Sequence, residues 1–139
     1  MALAARYLAD KSALSRFSIP AVERRLRPLL EEGLIATCAI VDLEVLYSAR
    51  SAADYETILE ERRSLQDVPV TPEVMHRAIE VQRSLARRGH HRLPIPDLLV
   101  AASAERARLV VIHYDADFER IARVTKQRHE WVVPKGSIR

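Results

Sequence analysis

The chain has 139 residues, 48% hydrophobic and 29% charged with only 3 Gly, which excludes a disordered or low-complexity polypeptide and suits one domain, 1–139, with a substantial core. No apolar run approaches the roughly 18 residues of a membrane span, and the stretch Met1 to Arg6 lacks a secretory pattern, so a cytoplasmic location is expected. Net charge is a modest +3, yet the 22 basic residues are overwhelmingly Arg; Arg grips phosphate well, but genomic base composition produces the same bias, so a polyanionic ligand is permitted rather than required.

Tyr7 to Ala9 reads as a short buried strand, followed by Asp10-Lys11-Ser12 and a helix beginning at Ala13 and Leu14, with Ser12 as a plausible cap. Val22, Leu26, Leu29 and Leu30 have helical spacing, and Gly33 closes that helix. Leu34 to Cys38 is a second strand, and its lone cysteine, Cys38, reads as a small core residue. A helix follows with Ile40, Leu43 and Tyr47 on one stripe and Glu44 at the stripe's edge. Residues 54–65 form another helix, and Val68-Pro69-Val70 a very short third strand.

Thr71 and Pro72 open a helix that carries Val74, Ala78, Val81 and Leu85 on one face until Gly89. The segment Arg92 to Pro96 is too proline-rich for a helix, so Asp97 should open the next one, whose run Leu98 to Ala102 is apolar enough to be buried on most sides. Leu109 to Tyr114 is the clearest strand, and its continuous apolar run suits a central parallel position. Asp115-Ala116-Asp117 then leads into a helix with Phe118, Ile121 and Val124, and Trp131 to Val133 is the last strand. Alternating strands and helices mean an α/β fold with a largely parallel sheet.

In such a sheet the strands end at one edge, where ligands bind. Asp10, Glu44, Asp97, Asp115 and Asp117 would converge there from four segments. Each has a plain alternative: Asp97, and one of Asp115 and Asp117, as helix caps, and Glu44 as a solvated helix residue. Capping explains them singly, whereas a hard cation such as Mg²⁺, which takes oxygen ligands, explains them together. Asp42, two residues from Glu44 on the same helix, should point away. The basic turn Arg87-Arg88-Gly89-His90-His91-Arg92 suits substrate phosphates and equally suits a solvated helix end. His113 reads as a packed core residue.

Four segments carry a resemblance to a known family: Tyr7 to Leu14, Glu44 to Ala49, Pro96 to Ala102 and His113 to Phe118. They closely resemble the PIN-domain ribonucleases, specifically the VapC toxins of toxin–antitoxin pairs, in order and over nearly the whole chain. The resemblance implies a doubly wound sheet of about four to five mainly parallel strands flanked by helices. It implies Mg²⁺, with Mn²⁺ as substitute, held by Asp10 and Asp97 as principal ligands, with Glu44 and Asp115 completing the cluster and Asp117 assisting. Which of Asp115 and Asp117 matters more stays open. Ser12 would hydrogen-bond within the site, while Lys11 departs from the small polar residue usual there. Lys11, Arg88, His91 and Arg92 are the candidate substrate contacts.

The reaction implied is hydrolysis of RNA phosphodiester bonds by a metal-activated water, in a homodimer restrained by a cognate VapB-like antitoxin. Two rivals remain. A receiver-like phosphotransfer domain also places Asp residues at strand ends, but it needs a late lysine that Lys126 and Lys135 do not obviously supply. In a non-catalytic nucleic-acid-binding or regulatory module, the acids would be caps and the arginines the contacts.

Overall fold

The computed structural model describes residues 4–139, so part of the stretch used to exclude a secretory signal, Met1 to Leu3, lies outside the described residues. The strands are β1 (Tyr7–Ala9), β2 (Ile35–Cys38), β3 (Gln66–Val68), β4 (Val110–His113) and β5 (His129–Trp131). Between them run α1 (Lys11–Leu14), α2 (Pro20–Glu31), α3 (Ala39–Leu46), α4 (Ala52–Arg63), α5 (Pro72–Ala86), α6 (Ile95–Ala107) and α7 (Asp117–Thr125). The strands form one sheet in the order β3-β2-β1-β4-β5, and every neighbouring pair is parallel. Strand order therefore reverses between β1 and β4, where such sheets open a crevice for ligands.

Alternation along the strands builds a core on each face. Leu8, Ala36, Cys38 and Val111 point toward α5, α6 and α7, where Val74, Leu85, Val100, Phe118 and Ile121 meet them. Ala9, Ile35 and Ile112 point to the other face and pack against Val22 and Leu26 of α2. The expected all-round burial of α6 is present: Asp97 through Ala104 are buried without a break. Gly33, at φ +70, ends α2 in the left-handed region, where a side chain would be strained.

Several boundaries differ from the sequence expectation for physical reasons. The helix containing Asp97 begins two residues earlier, at Ile95, because the first helical turn does not need the N–H that Pro96 lacks. The edge strands sit two residues earlier than their apolar residues suggest. Their register is set by backbone pairing, Val111 with His129 and Cys38 with Val68, while Val132 and Val133 tuck under the sheet after β5. In α3 only Ile40 of the expected stripe packs inward. Leu43 and Tyr47 are 62% and 90% exposed, and Val41 and Leu46 make the buried side. No helix among the described residues is long and apolar enough to cross a membrane.

Candidate metal centre

Asp10 follows β1 directly, and its N–H bonds to the Ile112 carbonyl of β4 at 3.0 Å. Its backbone is thus fixed at the point where strand order reverses. The Asp10 carboxylate, rather than Ser12, caps α1: Oδ2 accepts from the Ser12 N–H at 3.0 Å, leaving Oδ1 buried with no hydrogen-bond partner. Ser12 is freed for another task. Its Oγ accepts from the Tyr114 N–H at 2.8 Å and ties α1 to the end of β4.

The segment after β4 is held from inside. His113, fully buried, accepts from the Asp115 N–H through Nδ1 at 3.1 Å, so its Nε2 carries the proton shared with His129 Nδ1 at 2.9 Å. Burial and the neighbouring His129 hold its pKa down at about 3, so the ring is neutral. Asp115 Oδ1 in turn accepts from the Asp117 N–H at 2.9 Å, and Asp117 pairs with Arg120 at 2.8 Å. Asp115 thus holds the first N–H of α7 from one residue before the N-cap, Ala116.

Asp97, in the first turn of α6, is buried, and its Oδ2 has no partner. One carboxylate oxygen from each of Asp97, Asp115 and Asp117 lies within 4.8 Å of the others, close enough to share an ion. Asp10 and Glu44 complete the ring of charge. The Asp97 carboxyl is pushed up to about 8, first by burial and then by Asp10, Asp115, Asp117 and Glu44. Burial and Asp10 raise Glu44, whose Oε1 is buried and unpartnered, and burial also raises Asp115. Three buried carboxylate oxygens without donors among the described residues, set among mutually repelling acids, fit an oxygen-seeking divalent cation.

The five acids named from sequence are therefore brought together. Asp42 points elsewhere: it pairs with Arg62 at 2.9 Å and accepts from Thr37 at 2.7 Å. Lys11 lines a hollow of about 280 Å³ with Leu43, Glu44 and Tyr47 beside the acids. Arg88, His91 and Arg92 are exposed, and none has an acid partner among the described residues. Sequence reasoning missed the hold of His113 on Asp115. Its signal was the spacing of His113 and Asp115 where the last strand residue meets the turn into α7.

A parallel sheet in this order, with acids gathered where the order reverses, defines a PIN domain, and the family described as PIN domain matches residues 7–124. Ribonuclease VapC21 of Mycobacterium tuberculosis is 51% identical over 134 residues, which cover 95% of this chain and 97% of that protein. The chain belongs to the PIN-domain family and, within it, to the VapC ribonucleases. Its fold is shared by VapBC2 from Rickettsia felis bound to a DNA fragment from their promoter, with a TM-score of 0.72, 18% identity and coverage of 89% of this chain and 96% of that one. It is shared also by VapBC-5 from Mycobacterium tuberculosis, a member of the VapBC family of toxin–antitoxin systems, with a TM-score of 0.63, 24% identity and coverage of 91% and 97%.

Proposed function

We propose that the chain is a Mg²⁺-dependent endoribonuclease, acting as one domain and as the toxin of a toxin–antitoxin pair. The observation that carries this reading is the set of unpartnered oxygens on Asp10, Glu44 and Asp97, in a ring of acids that holds Asp97 up to about 8. A ring so negative repels an RNA phosphate until a cation is present, which couples substrate entry to metal binding. Asp10 and Asp97 would be the principal ligands of the ion, with Glu44 and Asp115 completing the set and Asp117 assisting. The free oxygens of Asp10, Glu44 and Asp97 support this reading, as does the approach of Asp97, Asp115 and Asp117 to one another. When bound, Mg²⁺ supplies charge for the phosphoryl oxygens and acidifies a water. Glu44, whose carboxyl is raised and whose Oε1 is buried, would take the proton of the attacking water. Ser12 and His113 keep the ligand segments in place by holding Tyr114 and Asp115. Mn²⁺ has the same taste for oxygen and would substitute.

The VapBC neighbours support a VapB-like antitoxin as partner, and we expect a homodimer working in the cytoplasm, where its RNA is. The test is incubation of the purified chain with cellular RNA in Mg²⁺ or EDTA, beside Asp97→Asn, followed by sequencing of the new RNA ends. Cleavage that needs Mg²⁺ and vanishes in the variant is expected. Equal cleavage by the variant, or none by the native chain, would sink the proposal.

A further inference from the structure

Building on the ribonuclease reading, we propose that the hollow between the C-terminal ends of α5 and α7 holds phosphates of the RNA strand as it leaves the acid cluster. The hollow, about 380 Å³, is lined by Ser84, Arg87, Arg88, Arg123, Val124 and Lys126. Four of these six are cations. None pairs with an acid among the described residues, whereas Arg25, Arg27, Arg62, Arg77 and Arg120 are each held by a carboxylate.

Two helix ends meet here, and the carbonyls of a helix end favour a cation. That accounts for Lys126, whose Nζ donates to the Arg123 carbonyl at 3.2 Å. Among the described residues, the guanidiniums of Arg87, Arg88 and Arg123 find no such carbonyl. Like charges gathered in one concavity repel, and a polyanion relieves them.

The place of the hollow ties it to the acids. Helix α5 runs antiparallel to α6: Arg77 pairs with Glu105 near the end of α6, while Gln82 and Ile95 line one groove. Arg87 and Arg88 therefore lie toward the end of α6 that carries Asp97. Helix α7 begins at Asp117, and at 1.5 Å per residue Arg123 stands about 9 Å further along its axis. Arg120, bonded to Asp117, lies between them. A strand with one phosphate among the acids and their cation would lay the next ones on Arg120, Arg123 and the Arg87–Arg88 pair.

The hollow contains no aromatic side chain, so its hold is on the backbone and blind to sequence. A protein partner is the weaker reading, because Val124 is the one apolar side chain lining it. Exposed apolar surface lies elsewhere, at Met75, Ile79 and Ile95.

The test measures fluorescence anisotropy of a labelled, unstructured RNA across a KCl series in EDTA, so that contacts outside the metal-free acid ring carry the binding. It compares the native chain, R87Q/R88Q/R123Q and the control R24Q/R63Q, which alters exposed arginines outside the hollow. Loss of three single-strand phosphate contacts should lower affinity at least about tenfold and flatten the salt slope by about 2. In Mg²⁺, KM should rise with kcat unchanged. A triple variant with native affinity and slope overturns the inference and leaves the ribonuclease reading standing if the native chain cuts RNA. A native chain that neither binds nor cuts RNA overturns both. If the triple variant keeps RNA but loses poly-glutamate, the hollow belongs to an acidic polypeptide and the inference fails.

Discussion

Replacing Asp97 by Asn should abolish cleavage and at the same time stabilise the metal-free protein. The carboxyl is held up to about 8 by burial and four neighbouring acids, against an ordinary value of 3.8. A carboxyl raised in the folded state holds a proton that the unfolded chain has released, so stability falls as pH rises from 3.8 to 8. At about 1.4 kcal/mol per pH unit, the span from 3.8 to 7 sets a ceiling of about 4 kcal/mol on what the substitution returns at pH 7. Even a quarter of that ceiling raises the melting midpoint by about 4 °C. His113 works in the opposite sense, because its value of about 3 lets the unfolded chain take up a proton first below 6.5. The two effects cancel between about 6.5 and 3.8, so the native chain in EDTA should gain stability from pH 8 to 6.5 and then level off. The variant should be flat above 6.5 and decline below it. Mg²⁺ at a hundredfold its Kd should add about 2.7 kcal/mol to the native chain and little to the variant. Thermal melts across pH, with EDTA or Mg²⁺, read all of this. A variant that melts at or below the native midpoint at pH 8 in EDTA, or that keeps the Mg²⁺ shift, refutes the reasoning.

Other substitutions probe the supports around the ring. Ser12→Ala removes the acceptor of the Tyr114 N–H and should cost about 1 kcal/mol in denaturant melts, with a drop in kcat as the Asp115 segment loosens. His113→Phe keeps a ring against Phe118 and Trp131 but strands the Asp115 N–H; we expect a loss of about 1–3 kcal/mol together with weaker Mg²⁺ binding by calorimetry, and unchanged Mg²⁺ affinity would argue against the positioning role. Arg62→Ala leaves Asp42 and Thr37 without their shared donor and should destabilise by about 3 kcal/mol, while the folded fraction cuts RNA at the native rate.

The fold and the membership of the ring were legible because both rest on periodicity and on the shared edge of a parallel sheet. Val110 to His113 and Tyr7 to Ala9 carry enough apolar residues to place two strands, and an acid that follows a parallel strand can lie only at the ligand-binding edge. Edge strands escaped this logic, since β3 and β5 are defined by one partner's backbone and not by their own composition. How the oxygens of the ring are shared out escaped it too. Asp10 spends one oxygen as the cap of α1, while Asp115 spends one on the Asp117 N–H, and neither cost is visible in a residue string. That second bond also explains why choosing between Asp115 and Asp117 from sequence was ill-posed. The turn that Asp115 closes fixes the Asp117 backbone, and the oxygens of both then lie within reach of Asp97. Removing the Asp115 carboxylate should therefore disturb the place of Asp117, whereas a substitution of Asp117 keeps the N–H that holds Asp115, so the dependence within this ligand arm runs one way.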